Sequence, residues 1–185
     1  MTDHDRLVEL LATHSARHGD FTLSSGRRSS LYIDARLTTM SPEGLLLIGP
    51  AGWSALRESG WEVNAVGGLT LGADPVAYAI SYASALAGAP VRAFTVRKEP
   101  KTHGAGRQIE GPFLTGDRVA IVEDVITTGQ SALKAADAVR AAGGSIAGVL
   151  ALVDREEGGR DAIEATGLPV RALVRASEIV ARMGV

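Results

Sequence analysis

From residue 63 onward the chain alternates short apolar runs with amphipathic segments, and this alternation constrains its fold more than any other feature of the 185 residues. VNAVGG reads as a strand, ADPVAYAISYASALAG as a helix, and VRAFTVR and RVAIVE as strands. GQSALKAADAVRAAGG reads as a helix with a Gly-Gly stop, followed by IAGVLALVD as a strand, EEGGRDAIEATG as a helix, VRALV as a strand and SEIVAR as a last helix. The strand runs are apolar at nearly every position, the pattern of strands covered on both faces. Strands that alternate with helices predict an α/β fold with a mostly parallel central sheet, flanking helices and right-handed crossovers. The length suits one domain, 1–185, with a sizeable core.

The first 60 residues are less regular. Leu7, Leu10 and Leu11 recur at helical spacing, which predicts an amphipathic helix over residues 3 to 17. FTLSSGRRSSLYIDAR reads as two short strands around a Ser-Gly turn. Ser41-Pro42-Glu43 is a helix start with serine as N-cap and proline at the first helical position, and Gly49-Pro50 predicts a kink or break in that helix. Residues 98–116, KEPKTHGAGRQIEGPFLTG, have no apolar period and are long for a connection in a compact domain. No internal repeat or low-complexity tract interrupts the chain.

Composition narrows the functional classes. Net charge is -2 and no basic patch stands out, so nucleic acid is not an expected partner. The absence of cysteine excludes disulfides, thiolate metal sites and a cysteine nucleophile. No stretch approaches the ~20 apolar residues that span a bilayer, and the charged N-terminus is unlike a secretory signal; a cytoplasmic protein without a membrane partner is expected. Gly67 and Gly72 have GxxxxG spacing, but Ala73-Asp74 follows where a triphosphate loop needs Lys-Ser/Thr. No GxGxxG occurs, His14 and His18 lack an acidic partner for a metal, and Ser29 and Ser30 lack the context of a nucleophile.

The stretch RVAIVEDVITTGQS carries the chemistry. In an open parallel sheet, ligands bind beyond the carboxyl ends of strands, and Glu123 and Asp124 fall at such an end. Thr127 to Ser131 form a loop of small residues entering a helix, where unpaired N–H groups and the helix dipole favour an anion. The acids suit vicinal hydroxyls or help to position a divalent cation. Together the two halves match a ribose 5-phosphate. The other reading is a strand-end acid pair followed by an ordinary Thr/Ser helix cap.

VAIVEDVITTGQS resembles the phosphoribosyl-pyrophosphate motif of type I phosphoribosyltransferases, and the chain resembles the orotate phosphoribosyltransferase family in particular. FTLSSGRRSSLYIDAR looks like that family's N-terminal hood segment, within residues 1–40. GGLTLGADP looks like its pyrophosphate-side loop, RKEPKTHG like its mobile catalytic loop (98–116), and ALVDREEGG like the strand end with its base-binding arginine. The resemblance implies the type I phosphoribosyltransferase fold and transfer of ribose 5-phosphate from phosphoribosyl pyrophosphate to orotate, yielding orotidine 5'-monophosphate and pyrophosphate.

It also implies roles for individual residues. Arg97, Lys98, Lys101 and His103 match donor-contacting positions. Glu123, Asp124, Val125, Ile126, Thr127, Thr128, Gly129, Gln130 and Ser131 match the ribose-phosphate segment. Lys101, His103 and Asp124 are the implied catalytic residues. Thr127, Arg155, Tyr32 and Ser24 fall at orotate-binding positions. Magnesium is the implied cofactor, bridged through substrate near Asp124 with no protein ligand directly assigned, and a homodimer with shared sites is implied. Two positions depart from the pattern: Ser24 replaces a common hood lysine, and the GGLTLGADP loop has no lysine. The alternatives are a phosphoribosyltransferase for another base and a non-catalytic phosphoribosyl-pyrophosphate sensor.

Overall fold

The computed structural model describes residues 1–22, 28–99 and 108–184. Its centre is a six-stranded sheet of β3 (Ala65–Leu69), β4 (Arg92–Val96), β5 (Ile109–Glu110), β6 (Arg118–Ile126), β7 (Ser145–Asp154) and β8 (Val170–Arg175), in the order β5-β4-β3-β6-β7-β8. All neighbours pair in parallel except β5, which runs antiparallel to β4 at the edge. The mostly parallel α/β architecture expected from the alternation is therefore present.

The sheet is covered on both faces, which explains its apolar strands. On one face, Ala120, Val122, Leu150 and Leu152 join a core cluster with α1 (Asp3–Leu10), α3 (Pro42–Glu58), α4 (Ala73–Leu86) and α7 (Ala176–Met183). On the other, Val119, Ile121 and Val149 pack with Ala132, Ala135, Ala136 and Val139 of α5 (Gln130–Ala141) and Ile163 of α6 (Gly159–Glu164). Burial of these side chains in two continuous clusters supplies the main stabilisation of the three layers.

Several local expectations are refined. The first helix stops short of residue 17: a π-helical turn, Leu11–Ser15, follows α1, and β1 (Ala16–Thr22) begins at once. The buried Ser15 hydroxyl pairs with that of Thr38 at 2.7 Å, and the Ser15 carbonyl accepts from the Asp34 N–H. These bonds draw the chain out of the helix toward α2 (Arg36–Thr39). β1 pairs antiparallel with β2 (Arg28–Ile33), as the two-strand reading anticipated. Ser41 caps α3 by accepting from the Gly44 N–H at 3.0 Å. The expected break at Gly49-Pro50 does not occur, and α3 continues to Glu58. The carbonyl that loses its partner to Pro50 belongs to Leu46, which is 75% exposed, so water can satisfy it.

Residues 108–116 are anchored rather than free. β5 lies here, Phe113 packs edge-on against Phe94, and the Leu114 N–H donates to Asp117.

Candidate active site

β3 and β6 are neighbours in the sheet, yet β3 leads through α4 to β4 on one side and β6 leads through α5 to β7 on the other. Their carboxyl ends mark a topological switch point, where diverging loops leave a crevice. A cleft of about 860 Å³ opens there. Leu69 to Gly72 at the end of β3 and beyond, the end of β6, Thr127 and Thr128 before α5, Gln130 and Ser131 in its first turn, and Arg155 after β7 all line it. Tyr32 to Arg36, from the end of β2 to the first residue of α2, line it as well.

The acid pair sits inside a strand. β6 extends through Ile126, so Glu123 and Asp124 are residues of the strand and not its terminal cap. Glu123 is 6% exposed, and no described residue donates a hydrogen bond to its carboxylate. Burial, with the adjacent Asp124 charge as a second cause, pushes its carboxyl up to about 8. Asp124 is also raised by burial, against the opposing effect of the Val125 N–H, which donates to Asp124 Oδ1 at 2.9 Å, and of the Arg36 charge. Two carboxylates placed this way, without a protein cation bonded to them, can accept hydroxyl groups or face a bound cation.

The opposite half of the cleft suits an anion. Gly129 precedes α5 at φ +78°, a left-handed conformation that glycine adopts without steric cost. A side chain there would also meet the Gly159 carbonyl and Ile163, so the loop rests directly on the start of α6. This support holds Thr127, Thr128, Gln130 and Ser131 toward the cleft with the open N-terminus of α5 behind them.

Not every expected residue reaches the cleft. Glu123, Asp124, Val125, Thr127, Thr128, Gln130, Ser131, Lys98, Tyr32 and Arg155 all line it. Ile126 does not: its side chain is 1% exposed in the α5 core cluster, and only its carbonyl serves the site, by accepting the Arg155 N–H at 3.0 Å. Gly129 shapes the loop from behind. Arg97 is not part of the cleft lining and forms an ion pair with Glu110 at 3.5 Å. Ser24, Lys101 and His103 lie outside the described residues.

Three charged residues in the lining escaped the sequence reading. Asp34 and Arg36 form a two-pronged pair, with Nε at 2.8 Å and Nη2 at 2.9 Å, which holds the Asp34 carboxyl below its usual range. Glu157 accepts from Arg155 Nη2 at 2.5 Å, while the same nitrogen donates to the Leu31 carbonyl at 3.0 Å. The buried Arg155 is thus braced from both β2 and its own loop. A strand end followed by Asp-x-Arg was the available clue to Asp34 and Arg36.

Among the described residues, no three His, Cys, Asp or Glu side chains converge as a metal cage, and no helix is long and apolar enough to cross a membrane.

No family model matches the chain. Among curated relatives, the orotate phosphoribosyltransferase of Aquifex aeolicus is 48% identical over 183 residues, covering 97% of this chain and 99% of the relative. That of Corynebacterium glutamicum strain R is 48% identical over 175 residues, covering 94% and 91%. Among solved structures, Mycobacterium tuberculosis H37Rv orotate phosphoribosyltransferase in complex with 5-phospho-α-D-ribosyl 1-diphosphate superposes with a TM-score of 0.81 at 42% identity, covering 96% of this chain and 99% of that one.

Proposed function

Because the chain belongs to the orotate phosphoribosyltransferase family, we propose that its cleft takes phosphoribosyl pyrophosphate and orotate and forms orotidine 5'-monophosphate and pyrophosphate, a step of pyrimidine biosynthesis. The observation that carries this reading is the placement of a buried acid pair and a glycine-shaped helix entry in one switch-point cleft that also contains Arg155.

In this reading, the 5'-phosphate sits on the loop before α5, where N–H groups and the hydroxyls of Thr127, Thr128 and Ser131 donate to it. Glu123 and Asp124 accept from the ribose hydroxyls. Arg155, held in place by Glu157 and the Leu31 carbonyl, faces the carboxylate of orotate. The base nitrogen attacks C1' as the bond from C1' to the pyrophosphate oxygen breaks; pyrophosphate leaves with that electron pair, and the proton of the ring N–H is released to the departing pyrophosphate. Lys98, Lys101 and His103 supply positive charge for the departing group.

Magnesium is the cofactor of this proposal. The chemistry of the donors fits a magnesium bridged through substrate: the Asp124 carboxylate lines the cleft without a bonded cation among the described residues, and magnesium commonly combines one or two carboxylates with substrate phosphates. When bound, it neutralises charge on the leaving group. With 108–116 anchored, the part of the expected 98–116 lid that precedes Gln108 would exclude water from the electron-poor C1'.

The proposal extends to a cytoplasmic homodimer with shared sites. An apolar groove of about 550 Å³ between α3 and α4, lined by Leu45, Leu46, Pro50, Tyr78, Tyr82 and Leu86, supports an interface between copies. Patches of this kind on monomers are usually small or functional.

A magnesium-dependent assay with phosphoribosyl pyrophosphate and a panel of orotate, uracil, hypoxanthine and adenine tests the activity. Turnover of orotate in preference to the others is expected, and preference for a purine would overturn the acceptor assignment. Mixing inactive Lys101→Ala and Asp124→Ala proteins tests site sharing, because hybrid dimers should regain part of the activity. Failure despite demonstrated subunit exchange would refute it.

A further inference from the structure

We infer that Asp74 is a positioning residue that fixes the shape of the loop Leu69 to Gly72 for the donor, by clamping Thr70 to the end of β4. The loop lines the cleft but contains no lysine, so its grip on an anion depends on where its backbone stands. Asp74 controls that placement. It lies in the first turn of α4 at 8% exposure, and both of its carboxylate oxygens accept from hydroxyls outside its own helix. Thr70 Oγ1 donates to Oδ2 at 2.7 Å, and Thr95 Oγ1 of β4 donates to Oδ1 at 2.8 Å.

The Thr70 N–H donates in turn to the Val96 carbonyl at 2.8 Å. Thr70 is therefore held by its backbone to β4 and by its side chain to α4. On the far side of the loop, Gly72 lies against the Asp124 carboxylate so closely that a side chain would collide with it. The loop is thus wedged between Asp74 behind it and the ribose-side acid in front. No cation among the described residues pairs with Asp74, so the two hydroxyls carry the compensation for burying it.

The clamp reaches the surface. Because Thr95 gives its one proton to Asp74, the hydrogen bond between Tyr78 and Thr95, 2.8 Å long, has the Tyr78 hydroxyl as donor. Tyr78 is 52% exposed and lines the apolar groove of α3 and α4. A chain of hydroxyls therefore runs from that face to the cleft loop.

This inference rests on the donor assignment above, and its test separates the two. Equilibrium affinity for magnesium phosphoribosyl pyrophosphate, KM for each substrate and thermal unfolding would be measured for wild type, Asp74→Asn, Thr70→Val, Thr70→Ser and Thr95→Val. The clamp predicts that Thr70→Val weakens donor binding about tenfold, the scale of one lost hydrogen bond to a charged group, while KM for orotate moves less than about twofold. Thr70→Ser should restore donor affinity, and Asp74→Asn should follow Thr70→Val. Thr95→Val, which leaves the loop's own bond in place, should lower the Tm with a smaller effect on donor affinity. If Thr70→Val lowered the Tm but left donor affinity unchanged, or if Thr70→Ser failed to rescue it, the clamp would be refuted. Should Asp74→Asn fail to fold, the Thr70 pair still decides. A wild-type protein that does not bind the donor at all would instead overturn the proposed function.

Discussion

Glu123 illustrates the cost of placing two acids side by side in a buried strand. In the unfolded chain its carboxyl ionises near 4.5, whereas in the fold it holds its proton up to about 8. The folded state binds more protons across that window, so stability of the ligand-free protein should fall as pH rises from 4.5 toward 8, by up to about 1.4 kcal/mol per pH unit from this one group. Glu123→Gln should flatten the decline, as chemical denaturation at pH 5.5 and pH 8 would reveal; an unchanged slope would mean that Glu123 is already ionised in the fold. Donor binding that recruits the ionised form should also release a proton, detectable by calorimetry in buffers of different ionisation enthalpy. The pairing of the two acids was legible in VEDV, but the depth of Glu123 was not. Burial depends on which strand face meets α5, and that follows from sheet order. Likewise Glu157 looked like one more acid in DREEGG, because only the folded loop returns it to Arg155.

At the level of elements, the entry to α5 works because α6 supports it. Gly129→Ala would force an alanine to φ +78° against the Gly159 carbonyl, a strain of about 1 to 3 kcal/mol. Urea denaturation should show that loss, and donor affinity should drop at the same time because the loop backbone must move; wild-type affinity would argue against a phosphate on this loop. Helix starts were easy to read where capping chemistry is local, as at Ser41. Ends that depend on tertiary partners were not: the exit from the first helix is set by the bond between Ser15 and Thr38, 23 residues apart. The two-residue strand β5 carries no periodicity of its own and is defined by pairing with β4. Pro50 is a related case, since whether a proline breaks a helix or is carried within it depends on which carbonyl it orphans.

For the molecule as a whole, the alternation of strands and helices made the sheet and its crevice legible, while the surface outside the crevice was legible only in the fold. Leu46 lies inside the apolar run LLLI, and Tyr82 and Leu86 lie among small residues far later in the chain, yet the three converge at 75%, 68% and 73% exposure on one face. If that face joins two copies, Tyr82→Glu should shift the mass measured by light scattering from dimer to monomer and reduce activity through the lost shared site. A dimer of unchanged mass would place the interface elsewhere.

The chain leaves the sheet after Arg97 and returns at Gln108 through a narrow neck: the Arg97 N–H donates to the Gln108 carbonyl at 2.8 Å, and the Gln108 side chain donates back to the Arg97 carbonyl at 3.1 Å. An excursion whose two ends are already tied together makes little thermodynamic difference to the rest of the domain when its length changes, about 0.6 kcal/mol for each doubling. Natural selection can therefore lengthen, shorten or rewrite this stretch without endangering the scaffold, and turnover and foldability become traits that evolve separately.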